Sequence, residues 1–158
     1  MRCRMLAATA TAAVAALLLP ATAPALIQVD KGIAGARLGG TSAQVHAALG
    51  APTRTRNGNN EFGAFREETY EGGISVLYQS GRTVTSVETT GLGDRTAKGV
   101  GVGSTERAAR ANVPGLRCET SDGIRVCETH AAVPGKRVTS FFIKGGKVTR
   151  VSVDFVID

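Results

Sequence analysis

The chain has 158 residues, with 19 Lys and Arg against 13 Asp and Glu, a formal net charge of +6, and no Trp. Its basic residues are scattered, with no run longer than pairs such as Lys136-Arg137, so the charge does not indicate a nucleic-acid-binding surface. Because aromatic residues are scarce, the core has to be built from Val, Leu, Ile and Ala.

Residues 1–25 have the pattern of a secretory signal peptide. Arg2 and Arg4 precede an uncharged stretch rich in Ala and Leu, and Ala23-Pro24-Ala25 fits the small-x-small cleavage pattern. The apolar stretch is shorter than the ~20 residues that a transmembrane helix needs, which disfavours a membrane anchor. We expect an exported protein, secreted or in the periplasm or cell envelope, that keeps no stable membrane anchor after cleavage.

Two parts of the remaining chain align with each other at an offset of 64 residues. Leu38-Gly39-Gly40-Thr41 matches Val102-Gly103-Ser104-Thr105, and the segment 81–87 matches 145–151. A fixed offset is typical of a duplicated unit. We therefore predict a first repeat over 26–96 and a second over 97–158.

Each predicted repeat begins with a short helix. Thr41 is a good N-cap, and Gln44 completes a capping box; in the second repeat Thr105 takes the cap position. Strand-like segments follow at 65–70, 74–79 and 82–89, and again at 138–143 and 147–157, whereas 54–60 is interpreted as a polar loop. The pattern predicts an α+β fold in which two helix-plus-antiparallel-meander repeats form one sheet, with the short helices packed on one face.

The two cysteines that follow the signal peptide, Cys118 and Cys127, flank an Asp122-Gly123 turn signal. Asp-Gly favours a type I′ hairpin turn, and a hairpin centred there places the two cysteines directly opposite each other, within reach of a disulfide. Export provides the oxidising compartment. We predict a Cys118–Cys127 disulfide and do not expect a redox pair, because the spacing is not Cys-x-x-Cys.

Alternation divides the predicted strands into two faces. One is apolar and is expected to carry the helices, with Ile74, Val76, Val87, Val138, Phe142, Val151, Val153 and Phe155. The other is polar, with Ser75, Ser86, Glu88, Arg150, Ser152 and Asp154, but it also receives apolar residues in two cross-strand pairs, Leu77 with Val84 and Phe141 with Val148, and nearby Ile143. These five apolar residues have two interpretations: cross-strand or inter-repeat packing, or a partner-binding patch.

The repeat unit resembles that of two exported families. Gly40-Thr41, Val45, Leu49-Gly50 and Pro52, echoed by Ser104-Thr105, Ala109, Val113 and Pro114, are similar to the helix-plus-sheet unit of the beta-lactamase inhibitory protein family and of the SmpA/OmlA outer-membrane assembly lipoproteins. The resemblance implies a fold in which a sheet surface or its loops bind another protein. It does not imply inhibition of a beta-lactamase, because no contact residues can be matched, and this chain has no lipid-anchoring cysteine at the cleavage site.

Catalytic patterns are weak. His46 and His130 have no metal-ligand companion at a recognised spacing, and the adjacent Glu67 and Glu68 point to opposite faces of a strand, so they cannot form a glycosidase pair. The glycines of 99–103 are not followed by the Lys-Ser/Thr of a phosphate-binding loop. We predict no catalytic residue, no metal and no cofactor.

The sequence thus favours a non-enzymatic protein-binding module with a partner in the extracellular or envelope compartment, and no nucleic-acid partner. Two alternatives stay open. One is a structural or stress-related envelope protein, and the other is a small secreted hydrolase.

Overall fold

A computed structural model describes residues 26–81 and 83–157, so the predicted signal peptide lies outside the described residues. The fold is mostly β, with two short helices. The helices are α1 (Ser42–Leu49) and α2 (Glu106–Asn112), and a 3-10 turn spans Glu71–Gly73. The strands are β1 (Leu26–Gln28), β2 (Gly32–Ile33), β3 (Ala36–Arg37), β4 (Arg54–Asn60), β5 (Gly63–Tyr70), β6 (Ile74–Gln79), β7 (Ser86–Thr89), β8 (Arg95–Thr96), β9 (Arg117–Ser121), β10 (Ile124–Glu128), β11 (Arg137–Lys144) and β12 (Lys147–Phe155).

Both helices begin as the sequence predicts. The Thr41 hydroxyl accepts a hydrogen bond from the backbone N–H of Gln44, and the Gln44 side chain accepts one from the N–H of Thr41, at 2.9 Å. At α2, the Thr105 hydroxyl accepts a bond from the N–H of Ala108 at 3.1 Å. Neither helix of about two turns is stable alone in water, so burial of Val45 and Ala109 in the core is what holds them. No helix of the described ranges is long and apolar enough to cross a membrane.

The main sheet has eight strands in the order β4-β5-β6-β7-β12-β11-β10-β9, and all neighbours are antiparallel. A second sheet of four short strands has the order β3-β2-β1-β8. The prediction of a single sheet was therefore wrong, because strands of two or three residues are too short to show an alternating pattern.

One face of the main sheet carries the core. A ladder of directly paired residues crosses it, from Glu68 through Val76, Val87 and Val153 to Thr139. Its valines form one buried cluster with Ile27 and Ile33 of the small sheet, Val45 of α1 and Ala109 of α2. The small sheet and both helices thus cover the same face.

The segments before the two helices are anchored in equivalent ways. The N–H of Gly39 donates to the carbonyl of Val84 at 2.8 Å, and the N–H of Gly103 donates to the carbonyl of Val148 at 2.7 Å. Isolated bridges join Thr41 to Thr83 and Thr105 to Lys147. In each case the members of the second pair lie 64 positions after those of the first.

The predicted cross-strand pairs of the polar face do not form. Leu77 pairs with Ser86, not with Val84, and Val84 is bonded instead to the chain before α1. Phe141 pairs with Val151, three residues beyond Val148. The hairpin turns at Gly145-Gly146, so Lys144 pairs with Lys147, and a register shift between Phe142 and Ile143 adds one further residue. A one-residue shift exchanges the two faces of a strand, so Phe141 enters the core.

This shift corrects several face assignments. Four members of the predicted patch, Val84, Phe141, Ile143 and Val148, are buried in the core cluster, whereas Leu77 is half-buried on the other face. The packing interpretation therefore describes those four residues. By the same shift, Val138 and Phe142 leave the core face: Val138 pairs with Asp154, and Phe142 pairs with Arg150.

The polar segment 54–60 was predicted as a loop and is the edge strand β4. It pairs with β5 from Arg54 opposite Thr69 to Asn60 opposite Gly63. Six of its seven residues are exposed, on both sides of the strand, and the seventh is Gly58. An edge strand that buries no face has no apolar alternation, so pattern alone did not identify it.

The disulfide hairpin is confirmed. Cys118 and Cys127 are bonded and lie directly opposite each other on β9 and β10, with Cα atoms 3.9 Å apart. Asp122 and Gly123 both have positive φ, at 50° and 77°, as a type I′ turn requires.

We expect Phe141→Ala to lower the free energy of unfolding by about 3–5 kcal/mol, the usual cost of deleting a fully buried Phe. Phe155→Ala is the control, since Phe155 is 39% exposed, and a smaller loss is expected. Urea unfolding followed by circular dichroism measures both. Equal losses would place Phe141 outside the core.

We expect the double variant Cys118→Ser, Cys127→Ser of the chain from residue 26 to lose about 2–3 kcal/mol of stability, because the bond restricts the unfolded chain. Urea unfolding of the variant and the oxidised wild type measures the difference. Two thiols found by alkylation and mass spectrometry of the native exported protein would contradict the disulfide itself.

Candidate functional site

The side of the eight-stranded sheet opposite the helices, called the open face below, is polar and charged. Its side-chain hydrogen bonds and ion pairs, over residues 26–81 and 83–157, join residues of the sheet to one another. Two ladders of directly paired residues cross it: Arg54, Thr69, Ser75, Glu88, Ser152, Ser140, Glu128 and Arg117; and Arg56, Glu67, Leu77, Ser86, Asp154 and Val138. The predicted polar positions Ser75, Ser86, Glu88, Arg150, Ser152 and Asp154 are confirmed on this face.

One half of the open face holds a depression of about 330 Å³. It spans β4 to β7, and its floor is low because Ser75 and Ser86 are small. Leu77 and Phe65 supply apolar surface. The complete lining is Arg56, Asn60, Phe65, Glu67, Ser75, Leu77, Ser86 and Glu88. The depression thus combines apolar contact area with charged groups at its sides.

Two arginines on the open face lie against aromatic rings. The guanidinium of Arg150 is 3.7 Å from the centroid of the Phe142 ring, and that of Arg56 is 4.9 Å from the Phe65 ring. Arg56 also donates from Nε to Glu67 Oε2 at 2.8 Å. Stacking and pairing restrict these long side chains, which lowers the entropy cost of binding through them.

Glu88 lies near the centre of the sheet and makes the fewest polar contacts of the central acids. Arg150 Nε is 3.4 Å from Glu88 Oε2, and no hydrogen bond to the Glu88 carboxylate forms within the described part of the chain. The Arg150 Nε is buried and also has no hydrogen-bond partner there. Asp154 differs, because it accepts bonds from Ser86 at 2.5 Å and Ser152 at 2.6 Å.

Burial raises the pKa of the Glu88 carboxyl above its ordinary value. The positive charge of Arg150 opposes this rise in pKa, whereas the negative charges of Asp154 and Glu67 reinforce it. A positive group brought close to Glu88 would therefore meet a carboxylate that lacks donors and is crowded by like charges.

A second polar cluster lies on the core face, beneath α1. Glu68 is 3% exposed, and its Oε2 accepts hydrogen bonds from Tyr70 at 2.7 Å and Tyr78 at 3.0 Å. His46 Nε2 lies 3.1 Å from the same oxygen, and Arg66 Nε lies 3.4 Å from Oε1. The carboxylate of Glu68 therefore ties the helix to β5 and β6.

The environment of Glu68 favours its ionised form. Burial opposes ionisation, but the hydrogen bonds from Tyr70, Tyr78 and His46 and the charge of Arg66 together hold the pKa of Glu68 below its ordinary value. Burial and the bond to Glu68 also raise the pKa of Tyr78 to about 12. Both phenols thus stay protonated and act as donors.

His130, the other histidine, also faces a carboxylate. Its Nε2 is 3.1 Å from Asp30 Oδ2, while Asp30 Oδ1 accepts bonds from Thr129 at 2.7 Å and Thr139 at 2.9 Å. Asp30 thus fastens the turn after β1 to the core face of the main sheet. Each histidine contacts its own carboxylate, His46 from α1 and His130 from the segment after β10.

One grouping has the residue types of a metal site, but its atoms are already engaged. Glu106 lies within 4.8 Å of the sulfurs of Cys118 and Cys127. The disulfide uses both sulfurs, and Arg125 donates to Glu106 at 2.6 Å. This pairing holds the pKa of Glu106 below its ordinary value.

Sequence reasoning missed two parts of these sites. Arg56 was missed because its strand was interpreted as a loop. The contribution of Glu67 to the open face was missed for the same reason, since Glu67 pairs with Arg56. The Glu68 cluster was missed because its members lie on α1, β5 and β6 and share no spacing. One signal was present: Glu68, Tyr70 and Tyr78 all occupy apolar-face positions of strands, where a carboxylate needs partners.

No protein-family model matches this chain, and no curated protein matches it. Among solved structures, the uncharacterized protein yfeY from Escherichia coli is 15% identical, with a TM-score of 0.51 over 80% of this chain and 95% of that one. An extracellular protein containing a SCP domain from Bacillus anthracis is 13% identical, with a TM-score of 0.48 over 75% of this chain. This chain covers only 44% of that Bacillus anthracis structure. A DUF4309 family protein (YjgB) from Bacillus subtilis is 19% identical, with a TM-score of 0.47 over 73% of this chain and 78% of that one. At these identities, the similarity to yfeY concerns the fold alone.

As pH falls from 7 to 3, we expect the stability of the wild type to decrease more steeply than that of Glu68→Gln. Because the pKa of Glu68 is lowered in the fold, its ionised carboxylate contributes to the free energy of unfolding. This contribution is complete above the pKa of the unfolded chain, about 4.3, and is lost as pH falls through the pKa of the folded protein. At pH 7, Glu68→Gln should cost about 2 kcal/mol, because charge-assisted hydrogen bonds become neutral ones.

Urea unfolding between pH 3 and pH 7 tests this expectation. Glu67→Gln is the matched control, since Glu67 is the next residue on the same strand but lies on the open face. Curves for the wild type and Glu68→Gln that stay parallel over this range would contradict the assigned role of Glu68.

Proposed function

We propose that this protein is an exported, non-enzymatic binding module that binds another protein of the extracellular or envelope compartment through its open face. The observation that carries the proposal is the asymmetry of the main sheet. One face packs against two helices and a second sheet, whereas the other carries charged residues around a depression that is lined in part by Leu77 and Phe65.

The chemistry of the open face suits protein recognition. Arginine and aromatic residues are enriched among the interface residues that contribute most to binding. Arg150 against Phe142 and Arg56 against Phe65 form two such pairs, at either side of the central strands. Leu77 between them offers apolar area that a partner would remove from water.

Export is supported by two independent features. Residues 1–25 have the charge and apolar pattern of a signal peptide, and the chain carries a disulfide between Cys118 and Cys127. Disulfides persist in oxidising compartments and are rare in the cytosol.

We further propose that the halves 26–96 and 97–158 are two copies of one unit. The backbone bond from Gly103 to Val148 supports this, because both of its residues lie 64 positions after those of the bond from Gly39 to Val84. The strand order supports it as well, because β4 to β7 run inward from one edge of the sheet and β9 to β12 run inward from the other. The resemblance to the beta-lactamase inhibitory protein family, which has two such copies on one sheet, implies a similar use of a sheet surface.

A role without catalysis is supported by how the titratable groups are engaged. The Glu68 carboxylate is enclosed and bonded by Tyr70 and Tyr78. His46 and His130 each contact a carboxylate that also serves to hold the fold together. These groups fasten elements to one another, which is a structural use.

The test is a variant that fills the depression. Ser75→Tyr places a ring on the floor, and Tyr is well accepted in strands. We expect it to weaken binding of the partner by about tenfold or more. Ser121→Tyr is the control, because it makes the same change at the exposed tip of the disulfide hairpin.

The partner is first isolated by cross-linking in the extracellular and envelope fractions and then purified. Isothermal titration calorimetry of that partner with the wild type and both variants measures the affinities. Binding that is equal for the wild type and the folded Ser75→Tyr variant would show that the depression is not the interface.

A further inference from the structure

The charges in and beside the depression have a net sign opposite to that of the whole chain. The residues in and beside the depression include three acids, Glu67, Glu88 and Asp154, and two bases, Arg56 and Arg150, so their net charge is 2 − 3 = −1. The full chain has a net charge of +6. A negative centre on a basic protein is a local arrangement and does not follow from average composition.

The three acids differ in how far they are already paired. Glu67 is bound by Arg56 and Asp154 by two serines. Glu88 has one cation at 3.4 Å and no hydrogen bond among the described residues. A half-buried carboxylate with open acceptor positions gains more from a new charged donor than one whose acceptor positions are filled.

The shape of the depression restricts the donor. Leu77 and Phe65 line it together with Glu67 and Glu88. Apolar side chains beside carboxylates fit a ligand side chain that has a methylene stem and a cationic end, because the stem can cover Leu77 while the end reaches Glu88. A partner carboxylate in the same place would face Glu67, Glu88 and Asp154.

We infer that the depression binds a cationic side chain, arginine or lysine, of the partner protein, with Glu88 as the charged acceptor and Leu77 beneath the stem. This inference rests on the proposed function, since it names the chemistry of the partner that the open face binds. A guanidinium can offer the carboxylate of Glu88 two parallel hydrogen bonds.

The test uses N-acetyl-L-arginine amide as the probe, titrated into ¹⁵N-labelled protein at physiological salt. Its neutral isostere, N-acetyl-L-citrulline amide, is the control ligand, because it has nearly the same shape and lacks the charge. We expect saturable shifts at the backbone amides of Ser75, Leu77 and Glu88, with binding at least about fivefold weaker for the citrulline compound.

Glu88→Gln keeps the shape of the side chain and should weaken arginine binding by about fivefold or more. Glu119→Gln is the matched variant, since Glu119 lies on the same face but on the edge strand β9, where it is exposed, and it should leave binding unchanged. Equal affinity for the two probes, no saturable shift at these amides, or unchanged binding in Glu88→Gln would overturn the inference.

Failure of this inference and failure of the proposed function give different results. If the purified partner binds the wild type and Glu88→Gln but does not bind Ser75→Tyr, the open face is the interface and the inferred contact with Glu88 is wrong. If Ser75→Tyr binds the partner as the wild type does, the proposed interface is wrong, whatever the arginine probe does.

Discussion

The pairing of β7 with β12 is the contact on which the rest of this structure depends. It joins Val87 to Val153 and Glu88 to Ser152, and it unites two groups of four strands into one sheet. The backbone bond from Phe155 to Thr85 extends the junction. Without this seam, the two helices and the small sheet would have two separate groups of strands to cover. With it, the valines at the centre lie under a continuous layer, and Glu88 and Arg150 come from different halves to the same spot on the other side.

The covering layer is held by polar links as well as by apolar packing. Glu68 binds α1 through His46, and Asp30 binds the turn after β1 through Thr129 and Thr139. Both links attach elements with few core residues, since α1 buries only Val45 and β1 is three residues long. Hydrogen bonds to an ionised carboxylate are stronger than neutral ones, so these links compensate for the small apolar area that the short elements bury. The open face, in contrast, needs no such links, because nothing among the described elements has to be held there.

Sequence reasoning succeeded where one local pattern determines the geometry. The Thr41 and Thr105 caps, the Asp122-Gly123 turn and the alternation of Ile74 to Gln79 depend on neighbouring residues alone. It failed where geometry depends on a single inserted residue or on a distant partner. The register shift beside Phe142 has no signature in the sequence, yet it moves Phe141 into the core and Phe142 onto the open face. The strand β4 is polar throughout, and only its pairing with β5 reveals it. The depression was missed for the same reason, because one of its walls belongs to that strand, whereas Glu88 and Arg150 were placed on the correct face by alternation alone.

The two outer strands of the main sheet have consequences for how the protein can associate. Exposed sheet edges are templates for pairing with further strands, and proteins protect them with charges or short lengths. Here one edge is β4, with Arg54 and Arg56 among polar neighbours, and the other is β9, five residues long and covalently tied to β10. Two molecules that met edge to edge would bring like-charged arginines together at the first edge and find only a short strand at the second. Both features disfavour polymerisation through the edge strands, so the broad open face of the sheet can stay exposed without a strand of another molecule adding to its edges.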